Sequence, residues 1–168
     1  MNILINLHKI KNNFFKKENI LFLILAFTIF FFDRITKSLI LNIYNENVYF
    51  INDYINIDLI WNMGIGFGFL STQSSLLYNF ISILIGIVIL LLTYFMIISD
   101  RIDKLIYVII IGGALGNFYD RLVYKAVPDF IDIHYNNFHW FTFNVADIFI
   151  TIGIFILIIR GFFVKTLK

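Results

Sequence analysis

Four runs of apolar residues, about 20–43, 76–98, 105–122 and 145–163, set the limits on what this chain can fold into. Each is long enough to cross a bilayer as a helix, which takes roughly 20 predominantly apolar residues. Hydrocarbon offers no partner to backbone polar groups, so each run must satisfy its own as a helix. The expectation is an all-α membrane protein. It is a four-transmembrane-helix bundle, with residues 1–168 forming a single polytopic membrane domain. Composition agrees: the chain is 60% hydrophobic with a mean hydropathy of +0.87, against about 45–50% apolar in soluble domains. The first run, from Ile20, is not followed by a small-residue cleavage site and is read as a retained helix.

Charge placement gives the topology. Lys9, Lys11, Lys16 and Lys17 precede the first run, Arg101 and Lys104 lie between the second and third, and Arg160, Lys165 and Lys168 close the chain. The connection from Asn42 to Ser75 has no Lys or Arg. By the positive-inside rule both termini and the 99–104 loop are cytoplasmic, and the connections 42–75 and 123–143 lie on the outer, periplasmic face. A net charge of +2 is too small to suggest a nucleic-acid partner. The absence of cysteine excludes disulfides, thiolate metal sites and a Cys nucleophile.

The outer connections carry strand signals. Tyr54 to Trp61 alternates apolar and polar residues, and Val48 to Ile51 can pair with it across Asn52-Asp53. Ile133 to Trp140 reads as a second hairpin with Asn136-Asn137 at its turn. Together these predict small β hairpins lying on the outer face, with an apolar side turned to lipid or to a lipid-like substrate. His134 and His139 in the second hairpin are read as interfacial residues, because neither sits in a motif with ligand spacing. Between the first hairpin and helix 2, Asn62-Met63-Gly64-Ile65-Gly66-Phe67-Gly68 lacks the spacing and setting of a phosphate-binding loop. It reads as a tight loop that brings Asn62 to the membrane edge, its glycines open to conformations closed to other residues.

In a chain with only 14% charged residues, the polar groups near the outer face need a reason. Asp33 and Lys37 share one face of helix 1 at i,i+4 and can neutralise each other. Intramembrane charges usually face a bundle interior, so the pair can also brace acids on other helices. Helix 2 holds little that is polar beyond Ser82 and Thr93 and is assigned a structural role. Helix 3 includes Gly112 and Gly116, a spacing that lets a neighbour approach closely, and ends in Asn117, Asp120 and Arg121. Asp129 and Asp132 follow. Helix 4 opens with Asn144 as an N-cap and Asp147 three residues on, the pattern of a capping box.

Elimination leaves carboxylate chemistry. No His-Glu-x-x-His pair and no Gly-x-Ser-x-Gly setting is present. Asp33, Asp120, Asp129, Asp132 and Asp147 gather at the outer membrane face. Two facing carboxylates share a proton, so one activates water while the other polarises a carbonyl. Arg121, next to Asp120 at the helix end, is expected to keep that carboxylate ionised and structural. Between Asp129 and Asp132 the residues alone do not choose. Two other readings compete: a small transporter with a charged pathway, and a scaffold that uses its glycines for helix contacts.

Four blocks in order resemble the lipoprotein signal peptidases (signal peptidase II) over nearly the whole chain. They are Asp33-x-x-x-Lys37; Asn62-x-Gly64 with Phe67-Gly68; Gly112-Gly113-Ala114-x-Gly116-Asn117-x-x-Asp120-Arg121 continuing to Val127-x-Asp129-Phe130-x-Asp132; and Phe143-Asn144-x-Ala146-Asp147. The resemblance implies an aspartyl endopeptidase of the bacterial inner membrane. It would remove the signal peptide of diacylglyceryl-modified prolipoproteins just before the lipidated Cys. It implies Asp129 and Asp147 as the catalytic pair, with Asp33, Lys37, Asn62, Gly64, Asn117, Asp120, Arg121, Asn144 and Ala146 as binding or supporting residues. It implies no metal or cofactor, and a monomer is the expected state. Lys125 stands where the family usually has Gly, and Gly66 where Ala is common. Pro128 biases Val127 toward an extended conformation.

Overall fold

A computed structural model describes residues 14–43, 48–64, 75–136 and 138–166. Residues 65–68 of the glycine-rich loop, Asn137 of the Asn-Asn turn, and Lys9 and Lys11 lie outside the described residues. The elements are α1 (Lys17–Ile43), β1 (Tyr49–Asn52), β2 (Ile55–Asn62), α2 (Ser75–Ile98), α3 (Arg101–Tyr124), β3 (Val127–Tyr135), β4 (Phe138–Phe143) and α4 (Val145–Thr166). The four helices are long and apolar enough to cross a membrane. This is a multi-pass membrane protein with one small antiparallel sheet.

The central helix is α3, half of whose apolar window is buried, against 11% to 28% in the other three. It packs on α1, α2 and α4. A buried core cluster joins Ala26 of α1, Met96 and Ile97 of α2, and Val108 and Ile111 of α3. Large apolar side chains such as Phe31, Leu90, Phe155 and Phe162 stay exposed on the outer faces. Those exposed faces belong against lipid, where apolar side chains cost nothing. Glycine permits the central packing. A Cβ on Gly113 would stand 2.5 Å from the Ala146 carbonyl of α4, and one on Gly116 would strike the Asp33 carboxylate of α1.

Helix α3 begins at Arg101, four residues before the sequence reading placed it. Residues 101–104 of the charged 99–104 stretch are therefore helix rather than loop. Its start is set by Asp100, whose carboxylate accepts from the amides of Ile102 and Asp103, both at 3.0 Å. Capping of this kind satisfies amides that no upstream carbonyl can reach. Lys104 in this first turn pairs with Glu18 of α1 at 3.6 Å, and Arg160 of α4 bonds both Asp100 and Asp103. The same charges that suggested a loop pin three helices at one end. Within α2, Ser82 and Thr93 donate back to the carbonyls of Tyr78 and Ile89, so those two hydroxyls are satisfied inside the helix.

The two hairpins are not separate. β2 pairs with β3, giving one sheet in the order β1-β2-β3-β4. β3 starts at Val127, six residues before the expected hairpin, and so carries both Asp129 and Asp132. Pro128 is tolerated because β4 pairs with β3 only from Ile131 onward. At Pro128 the strand is locally an edge, where a missing N–H costs no ladder bond. That open edge beside Asp129 is where the chain leaves β4 and enters α4.

Helix α3 ends at Lys125 with φ 58°, the left-handed conformation that glycine adopts without strain. A non-glycine residue there costs roughly 1–2 kcal/mol, partly offset by glycine's backbone entropy of roughly 0.5–1 kcal/mol. Lys125→Gly should therefore match or slightly exceed the wild type in unfolding temperature in detergent. Lys125→Val, with a β-branched side chain, should fall below both. The reverse order would show that another interaction sets this turn.

Candidate active site

The site begins with a charge cluster in α1 and α3. Lys37 and Asp33 stack one turn apart and meet at 2.9 Å, both with no exposed surface. Lys37 also bonds Asp120 at 2.7 Å, and Arg34 pairs with the other oxygen of that carboxylate. The cations that hold Asp120 are thus Arg34 and Lys37 across the interface. Sequence reading had assigned that role to adjacent Arg121. Neighbours on a helix point about 100° apart, and Arg121 turns instead toward the Gly64 carbonyl at 2.7 Å. The Arg34 guanidinium also lies 4.8 Å from the centre of the Tyr119 ring, a cation–π contact.

From this cluster a polar chain runs to the start of α4. Lys37 donates to Asn117 Oδ1 at 2.7 Å, and Asn117 Nδ2 donates to Asp147 Oδ1 at 2.8 Å. The second Asp147 oxygen accepts from the Asn144 amide at 3.2 Å, while Asn144 Oδ1 accepts from the Asp147 amide at 3.1 Å. This is the reciprocal capping box expected from the spacing. Asp33 Oδ1 accepts from the Ala146 amide at 3.0 Å, tying α4 to α1. Ala146 itself is fully buried, its carbonyl against Gly113. A larger residue at 146 has no room.

Asp129 reaches the same point from the sheet. Asn144 Nδ2 donates to Asp129 Oδ1 at 2.5 Å, and Asn62 Nδ2 donates to Asp129 Oδ2 at 2.9 Å. Asn62 is placed by β2–β3 pairing, opposite Val127, and its Oδ1 accepts from the Gly64 amide at 2.8 Å. Asn144 therefore touches both aspartates at once. Burial, and after it the charge of Asp147, pushes the Asp129 carboxyl up to about 6, against the opposing hydrogen bonds from Asn62 and Asn144. Asp132, an odd number of residues further along β3, has different partners: Asn56 and His139.

The residues named as catalytic or supporting lie in or against this network, Asp132 is on the other side of the strand, and Phe67 and Gly68 lie outside the described residues. Sequence reading missed Arg34, Asn56 and Tyr78, whose hydroxyl donates to the Arg121 carbonyl at 3.2 Å. Arg34 carried a signal, a second cation beside the Asp33–Lys37 pair. The other two are set by contacts between distant segments.

Lys37 balances two buried carboxylates, so Lys37→Met should leave Asp33 with no cation and Asp120 with Arg34 alone. Removing one partner of a buried ion pair costs about 3–5 kcal/mol. A large drop in unfolding temperature in detergent is expected, partly recovered when Asp33→Asn is added. Recovery fails if the lysine acts only through packing.

The family model described as "Signal peptidase (SPase) II" matches residues 25–163. The lipoprotein signal peptidase of Pelagibacter ubique (strain HTCC1062) is 48% identical over 149 residues, covering 87% of this chain and 90% of that protein. The lipoprotein signal peptidase of Aquifex aeolicus (strain VF5) is 37% identical over 155 residues, covering 91% and 92%. A bacterial membrane enzyme solved by the in meso method at 2.3 Å superposes with a TM-score of 0.76 at 29% identity, covering 88% of this chain and 90% of that one. The chain belongs to the signal peptidase II family of aspartic endopeptidases.

Proposed function

We propose that this protein removes the signal peptide from diacylglyceryl-modified prolipoproteins, cutting before the lipidated Cys with Asp129 and Asp147 as its catalytic pair. The observation that carries the reading is the single asparagine, Asn144, bonded to both aspartates where a membrane helix meets the outer sheet. The pair holds one proton between them and titrates as a unit. The ionised carboxylate takes a proton from water, which attacks the scissile carbonyl. The protonated carboxyl polarises that carbonyl and then supplies the proton the departing amine needs. Asn62, Asn117 and Asn144 orient the two carboxylates, and Asp33, Lys37, Asp120 and Arg121 hold the elements that carry them. Gly64 supplies backbone to Asn62 and Arg121, and Ala146 keeps α4 against α1. The acid–base work calls for no cofactor or metal at this site.

The surroundings suit a lipidated substrate. An apolar cavity of about 250 Å³ beside Asp147 is lined by Phe143, Asp147, Ile148, Thr151 and Ile152. The sheet adds exposed apolar side chains, among them Phe50, Ile60, Trp61 and Trp140. Acyl chains and the apolar signal helix can lie there within the bilayer while the peptide bond reaches the polar pair. Charge placement supports the bacterial inner membrane with both termini cytoplasmic and the pair near the outer face. The working unit in this reading is a monomer.

Cleavage of a diacylglyceryl-modified prolipoprotein by the purified protein in detergent tests this. Asp129→Asn and Asp147→Asn should each lower the rate by at least about 10²–10⁴-fold while the protein stays folded. Wild-type cleavage by Asp129→Asn would redirect the assignment to Asp120 or Asp132. The pH profile gives a second check. Asp129 lies above its ordinary carboxyl value of 3.8, so it stays protonated until the pH rises through about 6. Above that, Asp129 is ionised and no longer supplies the acid that polarises the carbonyl, and kcat/KM should decline. A rate that climbs across that range would assign the essential group elsewhere.

A further inference from the structure

We propose that Asp132, His134 and His139 form a binding site for one divalent transition-metal cation of the zinc class on the outer sheet. β3 and β4 place His134 directly opposite His139, and the two rings stack with centroids 5.3 Å apart. Asp132 precedes His134 by two residues and so shares its face of β3. One donor atom from each of the three lies within 4.8 Å of the other two. His139 Nδ1 is 2.8 Å from Asp132 Oδ2, and His134 Nδ1 is 3.8 Å from the same oxygen.

A carboxylate hydrogen-bonded to His139 would account for those two side chains alone. It leaves two buried atoms unexplained. His134, only 9% exposed, has its Nδ1 without a hydrogen-bond partner among the described residues. The same holds for Asn56 Oδ1, on the strand opposite Asp132, whose Nδ2 lies 3.4 Å from Asp132 Oδ2. Buried polar atoms are rarely left unpaired. Here one donor atom from each histidine and a carboxylate oxygen converge, and each can offer a lone pair. A cation satisfies the set at once.

The donor types select the ion. Two imidazole nitrogens with one carboxylate oxygen suit zinc and its neighbours, whereas calcium and magnesium take oxygen ligands. Three protein ligands leave a fourth position for water. Zinc–nitrogen bonds of about 2.0–2.1 Å require the donors to draw inward. The His139 side chain, 60% exposed, is free to make that adjustment. A polar cleft lined by Asp53, Tyr54, His134 and Asn136 opens the buried side to solvent. An ion bound here would staple β4 to β3 near the hairpin tip, on the strand face away from Asp129. Motif spacing hid the site, because its donors meet across a hairpin.

The test uses full-length protein in detergent, freed of any affinity tag and stripped with chelator. Zinc is titrated in competition with a chromophoric chelator, and cobalt serves as a spectroscopic probe. One equivalent should bind, unaffected by excess calcium or magnesium, and raise the unfolding temperature, since an ion that favours the native state stabilises it. His134→Phe and His139→Ala should each weaken binding by at least about tenfold and remove the cobalt absorption. His139 is exposed, so its variant should fold even where His134→Phe does not. Absence of a stoichiometric site would overturn the proposal. So would binding that survives both substitutions, which would place the ion elsewhere.

Discussion

The ammonium of Lys37 lies between the carboxylates of Asp33 and Asp120 with no surface exposed, inside the apolar length of α1 and α3. In a low-dielectric interior none of these charges is tolerable alone. Each helix can therefore insert and pack only in the register that brings the three together. That register also fixes what the leftover atoms reach. The free Asp33 oxygen meets the Ala146 amide, and Lys37 meets Asn117, which meets Asp147. The position of Asp147 is thereby set by an ion pair two helices away. Gly116 makes this possible, since any side chain there would occupy the space of the Asp33 carboxylate.

Asp129 arrives by a different route. It sits on a strand, held by β2 on one side, while β4 stops short and leaves its other edge open. Asn144 fills that opening, ending the sheet and starting α4 with one side chain. Its Oδ1 caps the helix and its Nδ2 bonds Asp129. Helix and sheet thus meet through one residue, so a shift in either moves one aspartate relative to the other.

Legibility in the sequence followed the range of the interactions. The four spans were readable from hydropathy, and the capping box at Asn144 from a spacing of three. Both are local. The start of α3 was misread because charged residues in an interfacial first turn look like a loop until the Asp100 cap is seen. The first hairpin was visible from alternation and the second from its Asn136-Asn137 turn. Their fusion into one sheet was not, because β2–β3 pairing joins segments more than sixty residues apart and leaves no local mark. The partners of Asp120 show the same limit. Adjacency pointed to Arg121, while the cations that bind it come from α1. Residue motifs could name a set of polar side chains, but only the packed helices reveal that they form one continuous chain of hydrogen bonds.

That continuity bears on how a capping residue can also serve chemistry. A carboxylate on an exposed helix start would spend its time among several rotamers. Asp147 has one oxygen held by the Asn144 amide and the other by Asn117, so both oxygens are directed before any substrate arrives. Preorganisation of this kind removes a reorganisation cost from the reaction itself. The capping box supplies one restraint from within α4, and Asn117 supplies the second from α3. Capping and chemistry then make the same demand on Asp147, a single fixed orientation at the first turn. The fold meets that demand by anchoring the partner of Asp147 to the buried lysine.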